Sequence, residues 1–248
     1  MTWTPLSLHI HDHAARFRLL SDLLASGAKL NNARLGVSGG EFRLEVVSDA
    51  QHGQSLVTIP KSACLGMTSI APPVTAFFQN TLEKHWPVCL ATRLVEEQTK
   101  HSSSQWSSYI TLLPLSFPAL PLFFSLQQMR ELQYQPLIPM ILDRNKTVGY
   151  ASRLLDGPED SLARLAWATA SVSTRAFSAS GPLPLSTQQP VPAQQPAKFL
   201  LPFIDMANHS FTPTASLSTR VDGGFSLVAE RDVRAGEEIT ICCAFVAT

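Results

Sequence analysis

The stretch Leu201-Pro-Phe-Ile-Asp-Met-Ala-Asn-His-Ser210 is the most informative part of this sequence. An apolar run ends here in a cluster of Asp205, Asn208 and His209. Side chains of Asp and Asn form hydrogen bonds with nearby backbone groups and therefore favour turns. From its local chemistry alone, the cluster predicts a turn at the end of a strand.

The segments that flank this stretch predict short strands. Alternating or continuous apolar residues predict strands at Phe199–Phe203, Phe225–Glu230 and Glu238–Cys243, with a turn at Gly223-Gly224. Near the start of the chain, Glu41–Pro60 predicts a further two strands.

A mostly helical block separates these two groups of strands. Helical spacing of apolar residues predicts helices at Val88–Glu97, Leu126–Leu132 and Ser161–Val172, and an earlier one at Ala14–Ala25. The order of strands, helices and strands favours one β-rich unit with a helical insert over two consecutive domains. The prediction is therefore an α+β fold whose halves are residues 14–60 and 166–248. The insert is residues 61–165, and a Pro/Gln-rich loop lies at about 179–197.

Composition narrows the class of protein. The 248 residues are 45% apolar and 15% charged, which is typical of a globular chain, and 19 basic residues balance 19 acidic ones. No basic excess indicates a nucleic-acid partner. The most apolar stretch, Ile110–Leu126, is interrupted by prolines and is too short for a membrane span, so no membrane partner is predicted.

The cysteines and histidines indicate a reducing compartment and no metal site. None of the four cysteines, Cys64, Cys89, Cys242 and Cys243, has zinc-site spacing, and two of them are adjacent. Free thiols and the absence of a signal-peptide pattern near Met1 favour an intracellular location, in cytoplasm or nucleus. The alternating His9, His11 and His13 could bind a metal, but a solvated tail is the preferred interpretation.

The stretch at 201–210 resembles the D-x-x-N-H-S signature of the SET-domain protein methyltransferases. Four other stretches resemble the subgroup with a helical insert, which includes the Rubisco large-subunit lysine methyltransferases of plants and their animal and fungal relatives. In chain order they are Asp49–Pro60, Ser104–Pro114, Trp167–Ser178 and Val228–Ile239. The second of them, Ser104–Pro114, matches the pattern S-x-W-x-x-Y-x-x-x-L-P. The resemblance covers the chain from about residue 17 to residue 245.

This resemblance implies a SET fold that binds S-adenosyl-L-methionine. It assigns Arg175 to the cofactor's carboxylate, the Asn208-His209 pair to the adenine, and the backbone of the early loop to further contacts. The implied cofactor-binding residues are Gly40, Glu41, Phe42, Arg175, Asp205, Asn208 and His209. Two alternatives stay open from the residues themselves: Arg175 as a surface arginine at a helix end, and His209 as a structural histidine bonded within its loop. For Trp106 and Tyr109, core packing is preferred over a substrate platform.

The sequence departs from the family at three places. Arg43 replaces the second glycine of the early loop, and Cys243 stands where the resemblance predicts a tyrosine that orients the attacking amine. The terminal N-x-x-L and Y-G-F segments are missing before Thr248. The catalytic group is therefore not assigned.

Two functions follow from the resemblance and its departures. The first is an S-adenosylmethionine-dependent protein methyltransferase that acts on a lysine, or a histidine, of a protein substrate. The alternative is a catalytically inactive or truncated SET-like module that binds a protein partner.

Overall fold

The computed structural model of the protein describes residues 13–38, 41–67, 72–155, 160–179 and 197–242. The helices in these ranges are α1 (His13–Ala25), α2 (Pro72–Phe78), α3 (Leu82–Thr99), α4 (Ser107–Leu112), α5 (Leu126–Arg130), α6 (Leu137–Ser152) and α7 (Ser161–Arg175). The strands are β1 (Ala33–Ser38), β2 (Glu41–Val46), β3 (Ser55–Ile59), β4 (Leu65–Gly66), β5 (Phe177–Ala179), β6 (Ala197–Leu200), β7 (Asn208–His209), β8 (Ala215–Thr219), β9 (Phe225–Ala229) and β10 (Glu238–Ile241).

The described strands form three small sheets, with the orders β1-β2-β10-β7, β3-β9-β8 and β4-β6-β5. Each sheet joins strands that precede α2 to strands that follow α7. In the first sheet, β2 pairs antiparallel with β10 and places Leu44 opposite Ile239. In the second, β3 pairs antiparallel with β9 and places Ile59 opposite Phe225. The predicted α+β class, with short strands interrupted by helices, is confirmed.

Helix α3 is the centre of the helical block. It packs against α7, α6 and α2, and its side chains Val88, Leu90 and Leu94 are buried. The helix predicted at Val88–Glu97 was therefore correct in position but short, since α3 extends from Leu82 to Thr99. Helix α7 ends at Arg175, so the predicted boundary between residues 165 and 166 falls inside a helix.

Helix α1 confirms the helix predicted at Ala14–Ala25, although part of its apolar face is exposed. Leu19 and Leu23 are buried, whereas Phe17 and Leu24 are exposed. Gly27 follows the helix with φ +92°, a conformation that glycine adopts without steric cost.

The predicted strand Phe199–Phe203 is too long at its C-terminal end. Strand β6 ends at Leu200, and a 3₁₀ turn occupies Ile204–Met206. Pro202 has no N–H for a ladder, and Phe203 has φ 74°, so neither residue continues the strand. This turn contains Asp205 and leads directly into Asn208 and His209 of the D-x-x-N-H-S stretch.

Candidate functional site

The Asn208-His209 pair forms the short strand β7, which is held by β10. The two strands are parallel, with Asn208 opposite Thr240 and His209 opposite Ile241. The N–H of Ser210 donates a hydrogen bond of 3.0 Å to the carbonyl of Ile241. Since β10 also pairs with β2, this segment lies at the edge of the sheet that contains the early loop.

Asn208 links three strands of this sheet. Its amide nitrogen Nδ2 donates to Oε1 of Glu238 at 2.7 Å and lies 3.4 Å from the main-chain oxygen of Phe42. Phe42 and Asn208 are 166 residues apart in the sequence, and both were predicted to bind the cofactor; the structure places them in contact. The side chain of Asn208 is otherwise exposed to solvent.

His209 is an exposed residue with an aromatic neighbour. Its ring meets that of Phe211 edge to face, with 4.9 Å between the ring centroids. Phe211 is 90% exposed, which is unusual for a phenylalanine. The segment from His209 to Phe211 therefore presents two rings to solvent beside Asn208.

Arg175 stands at the last turn of α7 and reaches the same loop. Its Nη1 donates to the main-chain oxygen of Asp205 at 3.0 Å, and it lies 3.4 Å from the carboxylate oxygen Oδ2. It also lies 3.8 Å from the sulfur of Met206. Sequence reasoning placed Arg175 and Asp205 at one site, and the structure brings them into direct contact.

The carboxylate of Asp205 is fully buried. Its Oδ2 accepts a 2.7 Å hydrogen bond from the hydroxyl of Tyr109, whereas its Oδ1 is buried with no hydrogen-bond partner among the described residues. Burial raises the pKa of Asp205, and the charge of Arg175 together with the Tyr109 hydroxyl opposes that rise. Tyr109 lies in the core, as predicted, but its hydrogen bond to Asp205 was not predicted.

Other residues of the S-x-W-x-x-Y motif anchor the helical block. Ser104 donates to the buried carboxylate of Glu97 at 2.6 Å. The indole N–H of Trp106 donates to the main-chain oxygen of Ala63 at 3.0 Å, and Arg93 lies over its ring. The motif is therefore structural in this chain, with Tyr109 as its link to Asp205.

The early loop is described only in part. Gly40 lies outside the described residues, and the side chain of Glu41 is not described. Arg43, which replaces the glycine, forms an ion pair with Glu45, and Arg34 binds the other oxygen of that carboxylate at 2.8 Å. Burial raises the pKa of Glu45, and the two arginines lower it below its usual value overall. The bulk of Arg43 is thus accommodated by an ion cluster on β1 and β2.

The predicted tyrosine position is not described. Cys243 lies beyond Cys242, the last described residue. The thiol of Cys242 is exposed, while Cys64 and Cys89 are buried free thiols.

A cavity of about 480 Å³ lies elsewhere, between α1 and the segment from Ser102 to Tyr109. Neither Arg175 nor His209 is among its lining residues, but Tyr109 is. The cavity is thus distinct from the cofactor site that the resemblance implies, and the two share one side chain.

Neither a metal site nor a membrane helix is found in the part of the chain that is described. No group of three His, Cys, Asp or Glu residues there could hold a metal ion. None of the helices there combines the length and the apolar character that crossing a membrane requires.

Comparison with known proteins identifies the family. The SET domain model matches residues 76–244. This chain therefore belongs to the SET-domain family. Among curated proteins, none matches its sequence.

Solved structures support the fold over nearly the whole chain. The SET domain of LSMT bound to lysine and AdoHcy superposes with a TM-score of 0.66 at 18% identity, over 95% of this chain and 55% of that one. The same domain bound to methyllysine and AdoHcy gives 0.67 at 18% identity, over 93% and 53%. Rubisco LSMT bound to AdoMet gives 0.66 at 18% identity, over 94% and 53%. The chain therefore spans about half the length of the proteins it resembles, and the likeness establishes the fold.

Proposed function

We propose that this chain is an S-adenosyl-L-methionine-dependent protein-lysine N-methyltransferase. The contact between Arg175 and Asp205 carries the proposal, because it fixes a cation at the turn that leads into the Asn208-His209 strand. The similar LSMT domains are bound to AdoMet or AdoHcy and to lysine, which supports both the cofactor and the substrate class.

The described residues fit such a cofactor. Nη1 of Arg175 makes the contacts with Asp205, which leaves other guanidinium donors to meet a carboxylate. Asn208 and His209 would hold the adenine, largely through backbone groups, and the backbone of Phe42, which lies against Asn208, would make a further contact to the cofactor. Gly40 and Glu41 would complete the early loop.

The bound cofactor would supply an activated methyl group, and the protein would supply orientation and desolvation. The substrate nitrogen must be neutral to attack, and apolar surroundings disfavour the ammonium form. Holding the nitrogen in line with the methyl group gives the advantage of proximity. We propose a lysine, or a histidine, of a protein as the methyl acceptor.

We propose a division of the chain that follows from this function. Residues 14–60 and 166–248 would be the two halves of the SET domain, and residues 61–165 the insert. Two sheets, β1-β2-β10-β7 and β3-β9-β8, join strands of both halves and support this division, whereas β4 lies within residues 61–165 and α7 crosses the boundary after residue 165.

A second candidate function is a SET-like module that binds a protein partner without catalysis. Cys243 favours it, because a thiol is a weaker hydrogen-bond donor than the tyrosine that the family resemblance predicts there. The two functions differ in methyl transfer and share the fold.

Methyl transfer from isotopically labelled AdoMet to protein substrates separates the two functions. An active enzyme should place label on a lysine side chain, identified by mass spectrometry, and Arg175→Ala should abolish the transfer. Cys243→Tyr is the matched gain-of-function variant, expected to raise the rate. If the native chain and Cys243→Tyr both bind AdoMet saturably but neither transfers the methyl group, the second function is favoured.

A further inference from the structure

Tyr109 connects the helical insert to the loop that carries the family signature. It lies in α4 and is only 1% exposed. Its hydroxyl donates to Oδ2 of Asp205 at 2.7 Å, across 96 residues of sequence. Apolar packing alone would be served equally well by phenylalanine, so the hydroxyl calls for a separate explanation.

The same carboxylate oxygen lies beside Arg175. The Arg175 Nη1 is 3.4 Å from Oδ2 and 3.0 Å from the main-chain oxygen of Asp205. Tyr109 from α4 and Arg175 from α7 therefore meet at one residue. They are the titratable groups of the described residues that face the Asp205 carboxylate.

The loop that holds Asp205 is constrained on its other side as well. Phe203 is buried with φ 74°, a backbone region that non-glycine residues rarely occupy. The N–H of Asp205 donates to the carbonyl of Leu201 at 3.0 Å. A strained turn persists only when its surroundings fix it, and Tyr109 supplies one of these fixing contacts.

We propose that Tyr109 is a positioning residue for the cofactor site: its hydroxyl holds the Asp205 carboxylate, which in turn orients Arg175. The proposal rests on the proposed function, because Arg175 is the residue assigned to the cofactor's carboxylate. It extends that function to the insert, since α4 then contributes to cofactor affinity without touching the cofactor.

The pKa of Asp205 provides a readout that packing alone would not change. Burial raises this pKa, and the Tyr109 hydrogen bond and the Arg175 charge lower it. Replacing Tyr109 by phenylalanine keeps the ring and removes the hydroxyl. The pKa of Asp205 should then rise further, and its carboxylate should become protonated at higher pH.

The first experiment compares AdoMet affinity of the full chain and of Tyr109→Phe by calorimetry between about pH 5 and about pH 9. We expect about tenfold weaker binding for the variant at neutral pH. We also expect a shift of the acidic midpoint of the affinity profile to higher pH. Ser108→Ala is the matched control, since Ser108 lies on the same helix and bonds Asp22 instead; its affinity should be unchanged. Equal affinity at every pH, or a loss that is uniform across pH, would overturn the proposal.

A second measurement needs no cofactor. The side-chain carboxyl ¹³C signal of Asp205 should titrate at higher pH in Tyr109→Phe than in the unmodified protein. If the unmodified protein does not bind AdoMet but Tyr109→Phe still shifts the Asp205 titration, the proposed function is refuted and the role of Tyr109 in holding Asp205 stands. If Tyr109→Phe leaves the Asp205 titration unshifted, that role of Tyr109 is refuted.

Discussion

The Nη1 atom of Arg175 lies 3.0 Å from the main-chain oxygen of Asp205, 30 residues further along the chain. This contact joins the end of α7 to the turn that leads into β7. Because β7 pairs with β10, and β10 with β2, the contact ties the helical block to strands from both ends of the chain. The candidate cofactor site thus forms where the three parts meet.

The buried carboxylate of Glu97 should be a major contributor to stability. It is 2% exposed and accepts contacts of 2.6 Å from Arg93, Lys100 and Ser104. Glu97→Gln should lower the free energy of unfolding by about 3 kcal/mol, because Arg93, whose side chain is only 16% exposed, loses the buried carboxylate that it pairs with. Urea denaturation measures this. Glu96→Gln is the control: Glu96 pairs with Arg93 nearer the surface and should cost less than about 1 kcal/mol. Equal losses for both variants would contradict this prediction.

The contribution of Glu97 should depend on pH. Burial raises the pKa of its carboxyl, but the hydrogen bonds from Lys100 and Ser104 and the charge of Arg93 bring it below the usual value. A lowered folded-state pKa means stabilisation above the unfolded pKa of about 4.3, which is lost as the pH falls through the folded value. The difference in unfolding free energy between the native chain and Glu97→Gln should therefore shrink in acid. A difference that grows with acidification would be the contrary result.

Two glycines should respond oppositely to alanine. A Cβ at Gly66 would lie 2.6 Å from the ring of Phe199, which is buried, whereas a Cβ at Gly149 of α6 would meet nothing within 4 Å. Gly66→Ala should lower the unfolding free energy by about 1–3 kcal/mol through overpacking. Gly149→Ala should raise it by about 0.5–1 kcal/mol through helix propensity. Thermal and urea denaturation give both values, and a stabilising Gly66→Ala would show that the strands β4 and β6 are packed differently.

Cysteine reactivity should follow burial. Burial raises the pKa of the Cys64 and Cys89 thiols to about 12, so both are protonated near neutral pH, whereas Cys242 is exposed. Because the thiolate is the reactive form, iodoacetamide should modify Cys242 in the native protein and spare the other two until the chain unfolds. Mass spectrometry of labelled peptides measures this. Native-state labelling of Cys64 or Cys89 as fast as Cys242 would contradict it.

Much of the fold could be predicted from the sequence, because periodicity is a local property. The helix at Ser161 and the strand at Phe225 appear as predicted, since apolar spacing and turn residues bound each of them. The strand β1 and the helix α6 were missed. Apolar residues alternate in β1 at Ala33, Leu35 and Val37, but this strand is short and contains Gly36, and Pro139 inside α6 weakened the helical pattern there.

The contacts within the site were only partly predictable. The resemblance assigned Arg175, Asp205, Phe42 and Asn208 to one cofactor site, and the structure places Arg175 against Asp205 and Phe42 against Asn208. The hydrogen bond from Tyr109 to Asp205 was not predicted, because the position of a tyrosine in a helical pattern does not indicate which group its hydroxyl will bond. Only tertiary packing determines that partner.

The most direct test of the central claim is a calorimetric titration of AdoMet into the native chain and Arg175→Ala. Arg164→Ala is the matched control on α7, because Arg164 bonds Gln98. We predict saturable binding to the native chain and to the control, and about 100-fold weaker binding to Arg175→Ala. No binding to the native chain at millimolar AdoMet, or equal binding to all three proteins, would contradict the claim that Arg175 and the loop at Asp205 hold the cofactor.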